Sequence, residues 1–170
     1  MTDKKRRSSK VPMMNTFLVV CLFLLPLKSG AQCTAPDLLD TDRDFANAIS
    51  QRSVEGWMSF MYENSVLSMW HYLQPVAGQA EIRKYMEMYF GIPGLRITLK
   101  PEAAQLSPSG DAGYTTGTYE WVSPNAVCGC TNDFHGTYVT AWRLGRDNKW
   151  KVKSFTVLEE SGTGCGCGRP

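Results

Sequence analysis

The chain has 170 residues, of which 43% are hydrophobic and 20% charged, with 15 glycines and 9 prolines. That balance excludes a disordered chain, a collagen and a coiled coil. The formal charge of +2 is made positive by residues 1–31, where six basic residues (Lys4, Lys5, Arg6, Arg7, Lys10 and Lys28) face a single acid, Asp3. Residues 32–170 are therefore net acidic and lack the basic footprint of a nucleic-acid binder.

The basic stretch Lys4–Lys10 precedes an apolar run, Phe17–Leu27, and then the small residues Ser29-Gly30-Ala31. Charged, apolar and small-residue regions in that order predict a signal peptide cut near Ala31. As a helix the run rises only about 16 Å, roughly half a bilayer core, and Pro26 interrupts it. An exported product, periplasmic or secreted, with no stable membrane anchor is expected. Gln32 before Cys33 departs from the Leu-Ala-Gly-Cys pattern of lipoproteins.

The expected layout is a signal peptide at 1–31, an N-terminal extension at 32–39, one domain at 40–160 and a Gly/Cys-rich tail at 161–170. Within the domain, Phe45, Ala48 and Ile49, then Trp57, Phe60 and Met61, have spacings that suit helix faces. Asp40 or Thr41 can cap the first helix, and Ser53 a second after a break near Gln51–Arg52. Val66–His71 is short and reads as a strand. Ile82, Tyr85, Met86, Tyr89 and Phe90 give Gln79–Phe90 a helical stripe, stopped by Gly91 and Pro93.

After Gly94 the period becomes two. Leu95, Ile97 and Leu99 alternate with Arg96, Thr98 and Lys100, and Ser107–Asp111 is a turn cluster. Gly113–Val122, Gly136–Leu144 and Trp150–Leu158 read as further strands, the last two joined by a hairpin over Gly145–Asn148. Helices followed by antiparallel strands predict an α+β fold, with a curved sheet wrapped around a long helix.

The runs Asp44–Ile49 and Trp57–Val66, then Val76–Gly78 with Ala80–Ile82, Gly110–Glu120, Tyr138–Arg143 and Trp150–Val152 carry a resemblance. Their order and spacing over about residues 40–160 resemble the nuclear-transport-factor-2-like superfamily. They are most similar to its SnoaL-like, ketosteroid-isomerase-like domains of unassigned function. The resemblance implies a cone: a curved antiparallel sheet wrapped on three helices and enclosing a pocket, in proteins that often dimerise through the outer sheet face. Its members include isomerases, cyclases, dehydratases and binding modules, and fold does not choose among them.

Ketosteroid isomerase needs a carboxylate base and an oxyanion hole made by a Tyr and a protonated Asp. Aligned to that pattern, Phe45, Met69 and Thr140 occupy the three positions, and all three roles are lost. The register implied by the resemblance turns Thr115, Gly117, Tyr119 and Trp121 inward, with Tyr138, Thr140 and Trp142 beside them. Phe155 and Val157 join them only if a bulge lies near Ser154, because Lys151 and Lys153 share their parity. Trp57, Met69 and Phe90 complete the expected ligand pocket. Most of these side chains also serve as core, but aromatics with polar handles suit a small organic ligand. His71 lies near the expected pocket mouth and is the candidate acid–base residue.

Beyond residue 31 the cysteines are Cys33 and two Cys-Gly-Cys pairs, Cys128/Cys130 and Cys165/Cys167. Hairpin pairing of the last two strands brings the pairs to the same end of the sheet. Four converging sulfurs make two disulfides, a four-thiolate zinc site or a redox couple. Export favours disulfides, and zinc ligands usually have at least two residues between them. No metal or other cofactor is expected, and Cys33 is the odd thiol. The sequence thus predicts a homodimeric, exported binder of a small, partly apolar molecule in an aromatic and hydroxyl-lined cavity. The alternative is an isomerase, cyclase or dehydratase using His71 or a tyrosine (Tyr119, Tyr138) as proton carrier.

Overall fold

The computed structural model describes residues 34–69, 74–125 and 129–163. All of them belong to one compact unit, Ala31–Pro170. Helix α1 (Ala35–Ser50) starts earlier than the Asp40 or Thr41 cap expected from sequence. Thr34 is the N-cap: its backbone N–H donates to the Asp37 carboxylate at 2.8 Å, and its hydroxyl accepts from the Asp37 backbone N–H. This reciprocal capping box holds the Asp37 carboxyl below its ordinary pKa, chiefly through the Thr34 backbone bond. The helix thus begins inside the stretch 32–39.

Helix α1 ends where Arg52 enters the left-handed region at φ 54°. Ser53 then caps α2 (Val54–Phe60), its hydroxyl accepting the Gly56 N–H at 2.9 Å. Strand β1 (Met61–Ser68) follows with no loop, several residues before the expected strand at 66–71. After the two-residue β2 (Val76–Ala77), helix α3 spans Gln79–Phe90, and Gly91 is its C-cap, as its apolar stripe predicts. Ile82, Tyr85, Met86 and Phe90 form its buried face.

Four long strands complete the chain: β3 (Arg96–Leu106), β4 (Ala112–Asn125), β5 (Cys130–Leu144) and β6 (Trp150–Thr163). The sheet order is β2-β1-β6-β5-β4-β3. Every pairing is antiparallel except β1 with β6, which is parallel. One face of this curved sheet packs on the helices, giving the cone-like α+β fold that the sequence predicts.

Three irregularities bend the long strands. The pairing skips Glu102 in β3, and it skips Lys153 and Glu160 in β6. An extra residue in one strand sharpens local twist and bends it. The Lys153 bulge lets Val152 and Phe155 both face inward although three positions apart.

Two glycines make room for the other bends. Gly117 pairs with Tyr138, and Gly136 pairs with Tyr119. A Cβ on Gly117 would sit 2.2 Å from the Lys100 carbonyl oxygen and 2.8 Å from Tyr138 Cε1. One on Gly136 would sit 2.1 Å from the Leu158 carbonyl oxygen and 3.1 Å from Tyr119 Cε1. Each glycine therefore accepts the bulged neighbouring strand on one side and a tyrosine ring on the other.

The Gly117→Ala and Gly136→Ala variants are expected to lose about 3 kcal/mol each, since backbone atoms must move to relieve the overlap. Gly110→Ala, whose Cβ meets nothing, costs only its left-handed φ of 72°, about 1 kcal/mol. Urea unfolding of the three variants measures the ranking, and equal losses would refute the packing argument.

Candidate functional site

Phe45 of α1 is the hub of the interior. Its ring centroid lies 4.6 Å from Trp57 and 5.7 Å from both Trp142 and Phe155, the latter two edge-on. Trp57 in turn meets Phe155 at 5.5 Å and Phe90 at 6.4 Å, again edge-on. Such tilted and edge-to-face contacts are the favoured aromatic geometry. Around this cluster the interior divides into an apolar part and a polar part.

The apolar part surrounds a void of about 20 Å³, room for about one water molecule. Of the expected pocket residues, Trp57, Met69, Tyr119, Trp121 and Phe155 border it. Tyr85, Met86 and Tyr89 of α3 border it too, although their spacing in the sequence marks only a helix stripe. Tyr89 lies 4.5 Å from Tyr85 and 5.0 Å from Trp121, centroid to centroid. Phe90 is buried against Trp57 without bordering the void. Among the described residues, the wall holds no carboxylate, histidine, lysine or arginine.

The polar part lies between α1 and strands β4 and β5, and takes in the other expected pocket residues. Tyr138, Thr140 and Trp142 are fully or almost fully buried there. The Trp142 indole N–H donates to the Thr115 hydroxyl at 2.8 Å, and the Tyr138 hydroxyl donates to Asp42 Oδ2 at 2.8 Å. Thr140 stands opposite Thr115 in register. Its hydroxyl has no hydrogen-bond partner, and neither has Asp42 Oδ1.

Asp42 is the interior group that sequence reasoning missed. Its signal is positional: with Leu38, Phe45, Ala46 and Ile49 it lies on the buried face of α1. Starting the helix at Asp42 hides that placement. Burial raises its carboxyl to about 6, while the hydrogen bond from Tyr138 and the nearby Thr115 hydroxyl pull the other way. Burial, followed by the charge of Asp42, pushes the Tyr138 phenol well above its ordinary value.

His71 lies outside the described residues, as do Cys128, Cys165 and Cys167. Cys130 opens β5 opposite Asn125 and is disulfide-bonded. The end of β6 lies beside it in the sheet, where Thr163 pairs with Asp133. His135 is exposed, and its Nε2 lies 2.5 Å from the Ser161 hydroxyl on β6. Glu120 also faces outward, accepting from Lys100 at 2.8 Å. No cluster of three or more metal-ligating side chains occurs among the described residues, and no described helix is long and apolar enough to cross a membrane.

Asp42 gives the fold a defined pH dependence. Its folded pKa of about 6 lies above the ordinary 3.8, so the folded chain holds a proton that the unfolded chain loses. The associated stability is fully present below about pH 4 and is lost as pH rises to about 6, a difference of about 3 kcal/mol. Asp42→Asn keeps an acceptor for Tyr138 and removes the charge. It is expected to be more stable than the parent above pH 6, with the advantage shrinking toward pH 4. Exposed carboxylates held low, such as Asp37 and Glu120, act oppositely but equally in both proteins. Paired unfolding curves from pH 4 to 7 test this, and a pH-independent difference would show that Asp42 does not titrate as described.

No protein-family model matches the chain, and neither does any curated protein sequence. Solved structures do. A ketosteroid isomerase-like protein from Erwinia carotovora atroseptica superposes with a TM-score of 0.62 at 11% identity, covering 72% of this chain and 92% of its own. A nuclear transport factor 2-like superfamily protein from Salmonella enterica Typhimurium gives 0.62 at 14% identity, covering 79% and 96%. LinA gives 0.61 at 12% identity, covering 78% and 92%. Identities this low speak for architecture alone. By its topology and these likenesses, the chain has the nuclear-transport-factor-2-like fold.

Proposed function

We propose that this protein is an exported binding module that holds a small, partly apolar molecule inside the cone. The observation that carries this reading is the wall of the void. It offers aromatic faces, aliphatic side chains and thioethers, and no carboxylate, histidine, lysine or arginine among the described residues. Such a surface favours an apolar guest and supplies few groups to move a proton.

A second reading has its own observation. Asp42 is buried, titrates near pH 6 and keeps one carboxylate oxygen without a partner. A carboxyl poised near neutrality is what general acid–base catalysis uses. Under this reading Asp42 joins His71 or a tyrosine as the proton carrier of an isomerase, cyclase or dehydratase. Asp42 does not border the void, which favours the binding reading.

The outer face of the sheet supports a homodimer. Three neighbouring rows carry no charge: Tyr114, Ala141 and Ser154; Thr116, Val139 and Thr156; and Thr118, Thr137 and Leu158. Tyr114, Val139 and Leu158 are exposed large side chains, and Lys100, Glu120 and Lys151 lie around the patch. For the cysteines, the pairing of Thr163 with Asp133 supports disulfides that join the Cys128/Cys130 and Cys165/Cys167 ends.

Native mass spectrometry of protein secreted without reductant tests the leading reading. The expected result is a retained small molecule, with a mass lowered by two hydrogens per bridge and no metal. His71→Ala is expected to keep affinity for that molecule. A turnover loss of about 10²–10⁴-fold in this variant would instead establish the enzyme. Val139→Lys is expected to convert a dimer to monomer in sedimentation, because it buries an unpaired charge at the centre of the patch. An unchanged dimer would move the interface elsewhere.

A further inference from the structure

The positive charge of the domain is gathered at one hairpin. Residues 143–153, the turn between β5 and β6 with its flanks, hold five basic side chains and one acid, Asp147. The rest of 32–170 holds seven basic and fourteen acidic residues. Elsewhere, Arg43, Arg83, Lys84 and Lys100 each lie 2.5–2.8 Å from a carboxylate oxygen. At the hairpin Arg143 reaches Asp111 at 3.2 Å. Arg146, Lys149, Lys151 and Lys153 have no carboxylate partner among the described residues.

The fold holds these cations with neutral groups. Lys151 donates to the Ser59 carbonyl oxygen at 2.6 Å. Lys153 donates to the Asn64 side-chain oxygen and lies over the Tyr62 ring, 5.1 Å from its centroid. Lys151 stands directly opposite Arg143 in the ladder, a like-charge pairing that destabilises a sheet. The turn is fixed by its backbone: the Gly145 N–H donates to the Lys149 carbonyl oxygen at 2.8 Å, and the Asn148 N–H to that of Gly145 at 3.0 Å. Arg146 and Lys149 are exposed on it. Cations set side by side without counter-charge attract an anion.

The surroundings limit what carries that anion. Lys151 borders two surface hollows, one shared with Lys149 and the other with Arg146. The three form a track, which suits a chain with repeated anionic groups. The turn Gly145–Asn148 has no apolar side chain to enter a bilayer. The nearest rings offer bases no stacking platform, since Lys153 covers Tyr62 and Trp150 is buried. Residues 32–170 are net acidic, so attraction to a polyanion has to be local.

We propose that the β5–β6 hairpin is a docking surface for an acidic polysaccharide, whose sulfate or carboxylate groups bridge Lys149, Lys151 and Arg146. This surface is separate from the interior void and does not depend on what the void holds.

Heparin fragments of defined length are the probe, titrated calorimetrically into the secreted protein at several salt concentrations. Log affinity is expected to fall with log salt with a slope of about −3. Arg146→Gln/Lys149→Gln, two exposed substitutions, is expected to weaken binding about 10-fold and to bring the slope to about −1. Arg43→Gln/Lys84→Gln removes the same charge from α1 and α3, and is expected to keep affinity within about twofold. The two variants differ in where charge is lost, so their comparison holds whether or not the basic stretch at 4–10 is present.

Equal losses in the two variants would show general charge attraction and overturn the hairpin assignment. Absence of heparin binding at about 0.1 M salt would overturn it as well. Tighter binding to phosphatidylglycerol vesicles or to a single-stranded oligonucleotide than to heparin would overturn the polysaccharide as partner.

Discussion

The sheet can close over α1 only because two strands give way at two glycines. Gly117 sits against the irregular stretch of β3 and Gly136 against that of β6, each with a backbone carbonyl where a Cβ would be. The same absence of side chains leaves room for the tyrosine rings opposite. The sequence carries this as Gly-Thr-Tyr written twice, at 117–119 and 136–138, in strands paired so that each glycine meets the other's tyrosine. Bend and ring placement thus have one cause. Tyr138 is delivered to Asp42, and Tyr119 to the void.

That delivery divides the interior into two chemistries. The polar half pairs a carboxylate with a phenol and two further hydroxyls, and its cost is visible in the carboxyl raised to about 6. Burying a charge with one oxygen unpaired is unfavourable, and an asparagine would place the same acceptor before Tyr138 without that cost. The apolar half is nearly filled by its own side chains, and its flexible members are methionines rather than branched aliphatics. With a void of only about 20 Å³ it is packed as a core.

Much of the architecture was legible in the sequence because single signals were strong and local. The Gln79–Phe90 stripe, the Ser53 cap, the turn at 107–111 and the alternation in the later strands each follow from spacing alone. Other features depended on partners distant in the chain. β1 starts at Met61 because it lies parallel to β6, where Ser65 donates to the Val152 carbonyl oxygen at 2.7 Å. β5 extends back to Cys130 through polar residues such as Thr131, Asn132 and Asp133 because β4 continues opposite them. Polar strand ends read as loop when the strand that pairs them is not in view.

The candidate site follows the same division. Inward residues of β4 and β5 were legible from alternation, since period two fixes a face once one residue on it is known. Asp42 was not, because the capping box that starts α1 lies at Thr34, eight positions upstream in sequence. Once α1 is started there, a carboxylate appears on an otherwise apolar stripe, and a buried carboxylate needs a donor. Tyr138 is that donor. The pair stands apart from the void, which Asp42 and Tyr138 do not border. Here the void is lined by rings, thioethers and aliphatic side chains, and the buried carboxylate lies outside it, so the two halves of the interior keep their chemistries apart.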